Sequence, residues 1–96
     1  MHPKLYKPRG RVVECVRVED TENCYREIHD WIQSFDPVAS DLYRSRDGLL
    51  NLCLINEYGA SKSVFPGDWI VHEMNNRFQV YSESQFNIHY EPILNN

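Results

Sequence analysis

The eight residues Val64-Phe65-Pro66-Gly67-Asp68-Trp69-Ile70-Val71 constrain the fold more than any other stretch of this chain. Two runs of β-branched and aromatic residues flank a Pro-Gly-Asp triplet, so one strand must enter a turn and another must leave it. Pro66 presets φ at about −65°, and Gly67 supplies the positive φ that a type II turn requires at its second central position. Asp68 can close such a turn by accepting hydrogen bonds from nearby backbone amides, which accounts for it more simply than a catalytic carboxylate does. Pro66, Gly67, Asp68 and Trp69 are therefore expected to be structural, with Trp69 seated in the core beneath a covering helix.

The pattern on either side of this turn calls for α+β architecture. Arg11 to Val18 alternates as a strand with apolar residues on both faces, which suits a central position. Asp20, Thr21 and Asn23 are candidate N-caps for a helix running to about Ser34, where Tyr25, Ile28, Ile32 and Phe35 form an apolar stripe widened by Cys24 and Trp31. Asp36-Pro37 stops it, because proline disfavours helical backbone in the residue before it. Short strands follow at Leu42-Tyr43-Arg44, at 49–55, at 62–65, at 69–73 and at 78–81. Asp47-Gly48, Glu57-Tyr58-Gly59 and Asn75-Asn76 mark turns between them. Ser82 with Gln85 has capping-box spacing for one helical turn bearing Phe86, and Ile88-His89-Tyr90 is expected to pair as a last edge strand. The predicted fold is one amphipathic helix on a curved, mainly antiparallel sheet of about five to six short strands. Residues 1–10 are expected to form an extended basic arm, and 11–96 a single domain.

Ninety-six residues, 42% of them hydrophobic and 25% charged, describe one ordinary globular domain. No apolar run approaches the roughly 20 residues that span a bilayer. The basic start, Met1 to Arg9, lacks the apolar stretch of a signal peptide, so a cytosolic location is expected. Cys15, Cys24 and Cys53 are odd in number and lack any metal-site or redox spacing, which suits small buried hydrophobes. The net charge of −4 is uneven: Lys4, Lys7, Arg9 and Arg11 open the chain without an acid, leaving −8 on the remainder. So acidic a body is a poor binder of nucleic acid and is suited to a basic partner surface.

Read in order, the segments resemble a family of small proteins from tailed-phage genomes and prophages. The matching pieces are Lys7-Pro8-Arg9 with the strand after it, Ile28-His29-Asp30-Trp31-Ile32, Asp47-Gly48-Leu49, the PGDWI turn at 66–70, and the closing Phe86-Asn87-Ile88-His89-Tyr90. Family members usually carry a glycine-rich turn after PGDWI, where this chain has Met74-Asn75-Asn76-Arg77-Phe78. They also carry a Cys-Lys-Pro-Asp-like run where Ser82-Glu83-Ser84-Gln85 stands. The resemblance implies a phage origin and a place in the host bacterial cytoplasm; it implies no particular reaction.

Nor do the residues spell one. His2, His29, His72 and His89 show no metal-ligand spacing, and His29 and Asp30 point about 100° apart on a helix. No nucleophile elbow, phosphate loop or dinucleotide fingerprint occurs. The expectation is a protein without catalytic residues, metal or cofactor. Aromatic and basic residues are the more suggestive set: Tyr43, Tyr58 and Tyr81, with Arg44, Arg46, Lys62 and Arg77, can form a binding surface of the kind enriched at protein hot spots. The expected function is a phage accessory protein that binds, an inhibitor of a bacterial defence system or host factor through protein–protein contact. The alternatives are an oligomeric binder that sequesters a nucleotide immune signal between protomers, a minor virion or assembly protein, and a small hydrolase. A homo-oligomer would form by extension of the Ile88–Tyr90 edge.

Overall fold

A computed structural model describes residues 3–7, 13–73 and 76–92 of the chain. Asp68 donates its backbone N–H to the Phe65 carbonyl at 3.0 Å, and Gly67 sits at φ 89°, as the expected turn requires. Asp68 also accepts, through Oδ2, from the Phe65 N–H at 3.0 Å, so the turn is closed from both ends. Gly67 N–H then reaches the Val18 carbonyl at 2.8 Å, and the Val18 N–H reaches the Asp68 carbonyl at 2.8 Å. This corner joins two sheets.

The chain runs β1 (Lys4–Lys7), β2 (Val13–Arg17), α1 (Glu22–Gln33), β3 (Ser40–Arg44), β4 (Leu50–Ile55), β5 (Ser61–Val64), β6 (Trp69–Glu73), β7 (Arg77–Tyr81), α2 (Glu83–His89) and β8 (Glu91–Pro92). One sheet has five strands in the order β7-β6-β2-β1-β8, and the other has three in the order β3-β4-β5. All pairings are antiparallel. The α+β class is as expected. The strands are more numerous than expected and fall into two sheets, because β5 and β6 diverge at the Pro-Gly corner instead of pairing.

Helix α1 starts where Thr21 Oγ1 accepts from the Cys24 N–H at 3.1 Å, the capping role foreseen for this segment. Its buried Cys24, Ile28 and Ile32 pack on Val16, Ile70 and Val80 of the larger sheet and on Leu52, Leu54 and Val64 of the smaller one. The opposite face of the larger sheet carries a second core of Val13, Cys15, Trp69, Val71 and Phe86. Strand β2 is thus central and covered on both sides, which is why Cys15 and Val16 are both buried. The three cysteines are free and buried, and burial pushes the Cys15 thiol up to about 12.

Four expectations change. Trp69 is buried, but not beneath α1. Successive residues of a strand face opposite ways, so Ile70 points to α1 while Trp69 stacks on Phe86 of α2 at 4.2 Å between ring centroids. Ile88-His89-Tyr90 is not an edge strand. Ser82 accepts from the Gln85 N–H at 3.3 Å, and the helix it starts runs on through His89. Phe86 and Tyr90, four residues apart, then stack at 5.1 Å on the Trp69 side. The dimer edge expected there does not exist. Residues 4–7, placed in a separate arm by sequence, instead pair as β1 with β2 on one side and β8 on the other. Of the neighbouring expectations, the Arg11 and Val12 start of β2, the Met74-Asn75 part of the last hairpin turn and His2 lie outside the described residues.

A seven-residue helix has little intrinsic stability, so α2 depends on Phe86, whose side chain is fully buried. Phe86→Ala should cost about 3–5 kcal/mol in urea unfolding, whereas Ile88→Ala, at a position 77% exposed, should stay within about 0.5 kcal/mol. Equal effects at the two positions would contradict the packing. At Gly67 an added Cβ would meet nothing closer than Arg17 Nη2 at 3.9 Å, so backbone conformation alone sets the cost. Gly67→Val should lose about 1–2 kcal/mol of stability; unchanged thermal unfolding would show that the positive φ is not required.

Candidate functional site

Three separate segments of the chain, the start of β7 among them, line a groove of about 840 Å³. The link from α1 to β3 supplies Asp36, Val38 and Ala39. The end of β4 and the turn after it supply Ile55 and residues 56–59, and the start of β7 supplies Arg77, Phe78 and Gln79. Each wall is held locally. Asp36 Oδ1 accepts from the Val38 N–H at 3.1 Å, which fixes the bend after α1. Asn56 Oδ1 accepts from the Tyr58 and Ala60 N–H groups at 2.9 and 3.0 Å, and Gly59 takes φ 82°. The Ile55 N–H reaches the Ala39 carbonyl at 2.8 Å and locks the two loops together.

These constraints present apolar side chains to solvent that a free chain would collapse. Val38 is 72% exposed and Tyr58 87% exposed, while Phe78 and Ala39 lie deeper. Arg77 Nη2 meets Glu57 Oε2 at 3.3 Å across the groove mouth. Both partners are more than half exposed, so this ion pair contributes at most about 1 kcal/mol and yields readily to another charge. Behind the groove, Phe78 stacks on His72 at 4.5 Å and meets Trp31 edge-on at 5.4 Å. Phe35 completes this aromatic support, 4.2 Å from the His72 ring. The groove combines exposed apolar groups, a charged rim and an aromatic back, which is the composition of protein-binding surfaces.

The structure does not gather the seven residues expected to form one aromatic-basic surface. Tyr58 and Arg77 meet at the groove. Tyr43, Arg44 and Arg46 sit at the other end of β4, beside the hairpin turn that carries Gly48. Arg44 is committed there: it reaches both Glu22 carboxylate oxygens at 3.1 and 3.2 Å and the Gly48 carbonyl at 2.9 Å, tying the hairpin to α1. Lys62 is exposed on edge strand β5, across from Leu54. Tyr81 lies on the α2 side, where its hydroxyl donates to Glu73 Oε1 at 2.9 Å and burial raises its ionisation well above the usual phenol range. The Tyr90 hydroxyl reaches the same oxygen at 3.3 Å. Sequence reasoning missed Asp36, Val38, Ile55, Glu57 and Phe78. The only local hints were the Asp-Pro bend beside Val38 and the turn that contains Glu57.

The other candidate chemistries are dispersed. His29 Nδ1 is 2.8 Å from the buried Ser40 hydroxyl, which Gln33 Nε2 also approaches at 3.3 Å; this knits α1 to β3. His72 belongs to the aromatic support and reaches Asn76 Oδ1 at 3.2 Å, and His89 lies at the end of α2. Among the described residues no three His, Cys, Asp or Glu side chains converge as metal ligands would. Among those residues, too, no helix is long and apolar enough to cross a membrane. Compared with family models, curated proteins and solved structures, the chain matches nothing.

The Arg44–Glu22 pair makes a pH prediction. The hydrogen bond from Arg44, followed by its charge and that of Arg26, holds the Glu22 carboxyl below its ordinary 4.5. A depressed carboxylate pKa contributes stability above the unfolded-state value, which is lost as pH falls through the folded value. NMR titration should place the Glu22 midpoint below 4.5, and Arg44→Gln should bring it back up. An unmoved midpoint in the variant would dissociate the hairpin from α1.

Proposed function

We propose that this protein acts by binding another protein through the groove beside β7, as a phage accessory protein that blocks a defence or host factor in the bacterial cytoplasm. The observation that carries the binding mode is the exposed Val38 and Tyr58 pair, held out by hydrogen-bonded turns over an aromatic back. Exposed apolar groups on fixed backbone lose little entropy when a partner covers them, and such preorganisation is what tight inhibitors use. The phage and host assignments rest on the ordered motifs from Lys7 to Tyr90. A protein partner is favoured over a nucleotide because the arginines best placed to meet phosphate are already occupied. Arg44 holds Glu22 and the Gly48 carbonyl, and Arg17 lies 3.4 and 3.5 Å from Glu19 and Glu83, whereas the exposed Arg77–Glu57 pair yields readily.

The test is affinity capture from bacterial lysate at physiological salt, compared between the native protein and Val38→Asp/Tyr58→Ala. Both positions are exposed, so thermal unfolding should shift by little, about 0.5 kcal/mol or less in stability. Recovery of the partner should fall at least about tenfold, the usual scale for losing hot-spot contacts. Equal recovery by both proteins would move the interaction surface elsewhere.

A further inference from the structure

Charge distinguishes the groove from a second hollow of about 510 Å³ beside the start of α1. There Lys4 and Arg17 balance Glu19 and Glu27, so the walls favour neither sign. The groove carries two carboxylates, Asp36 and Glu57, against the single guanidinium of Arg77. Glu57 is paired with that guanidinium. Asp36 has no cation as an ion-pair partner among the described residues.

Asp36 is also badly placed for a negative charge. It stands two residues beyond Ser34, the C-cap of α1, and its N–H still bonds the Ile32 carbonyl at 2.9 Å. The unpaired carbonyls at a helix C-terminus carry about half a negative charge, which favours a cation and opposes an acid. The last turn of α1 holds no basic residue to offset them. Half-burial adds to the penalty, because water screens such a carboxylate less well. Its Oδ1 takes the Val38 N–H at 3.1 Å, and its other oxygen has no partner among the described residues. What this wall lacks is a positive charge.

We infer that the groove takes an arginine of the partner protein, its guanidinium on Asp36 and its apolar stem along Val38. This assignment rests on the groove being the binding site proposed above. A guanidinium is planar and weakly hydrated, so it stacks on an exposed ring such as Tyr58 and enters a half-buried site at less cost than the ammonium of lysine. Its three methylenes cover apolar surface while the head stays on the carboxylate. Ala39 and Phe78 lie deeper in the groove, so the partner residue beside the arginine is apolar. At the mouth, the incoming charge competes with Arg77 for Glu57. The acidity of the chain as a whole, −4, draws such a partner in.

The probe is the capped pentapeptide Ala-Leu-Arg-Leu-Ala, titrated into the ¹⁵N-labelled protein. Amide shifts should centre on Val38, Tyr58 and Phe78. Citrulline in place of the arginine keeps the shape without the charge and should weaken binding at least about fivefold; lysine should weaken it at least about twofold. Asp36→Asn keeps the acceptor for the Val38 N–H. It should weaken the arginine peptide at least about fivefold, leave the citrulline peptide within about twofold, and not lower the thermal midpoint. Asp41→Asn removes an equal charge from β3 outside the groove and should change affinity less than about twofold. Arg77→Gln frees Glu57 and should tighten the arginine peptide at least about twofold. Equal binding of the arginine peptide and either replacement, equal losses from Asp36→Asn and Asp41→Asn, shifts centred elsewhere, or no shift at millimolar peptide would each overturn the inference. If Val38→Asp/Tyr58→Ala abolishes lysate capture while Asp36→Asn leaves it intact, the groove binds an apolar surface and the arginine assignment alone fails. If the double variant leaves capture intact, the groove reading itself fails.

Discussion

Val18 gives both of its backbone groups to the Pro-Gly corner, and the rest of the architecture follows from that attachment. Without it, β5 and β6 would be free to continue as a hairpin. With it, β6 is delivered to the flank of β2 while β5 stays with β4, and one chain builds two sheets around α1. The positive φ of Gly67 brings its N–H to Val18, and Asp68 closes the turn from the other side. Backbone groups at such a corner must find partners when shielded from water, so the corner is as much an accounting of hydrogen bonds as a bend.

Covering the five-stranded sheet on both faces explains the remaining core. Alternation sends Val16 and Ile70 to α1 and Cys15, Trp69 and Val71 to α2. Helix α2 is short and exists because Phe86 and Tyr90 stack in line with Trp69. The smaller sheet gains its order from two tight hairpins and from the Arg44–Glu22 pair, which fastens its far end to α1. Its near end is left to form the groove wall. Rigidity at the groove is therefore inherited from turn chemistry at Asp36, Asn56 and Gly59, not from burial.

Local signals carried the sequence a long way and then stopped for identifiable reasons. The Pro66-Gly67 turn, the Thr21 cap, the α1 stripe and the two-sided apolar character of β2 were all legible, since each is written in neighbouring residues. Period-two alternation sets Trp69 and Ile70 on opposite faces, but it cannot say which face a distant helix will cover, and Trp69 was expected on the wrong one. Ile88-His89-Tyr90 is too short for its period to be decisive, and the four-residue spacing of Phe86 and Tyr90 was the better guide. The groove was least legible. Glu57 and Arg77 meet from twenty residues apart, and Val38 arrives from a third segment. No spacing in one strand or helix encodes that meeting; only the corner at Gly67, which turns β7 toward the β4–β5 loop, brings them together.

The central claim is that the Gly67 corner, bonded to Val18, directs β6 onto β2 and so builds two sheets around α1. Residue-resolved amide exchange of the free protein tests it directly. The Val18 and Gly67 amides should be protected by their bonds to the Asp68 and Val18 carbonyls. Exchange at both amides as fast as in the unfolded chain would mean that the corner is not attached to β2, and would contradict the account.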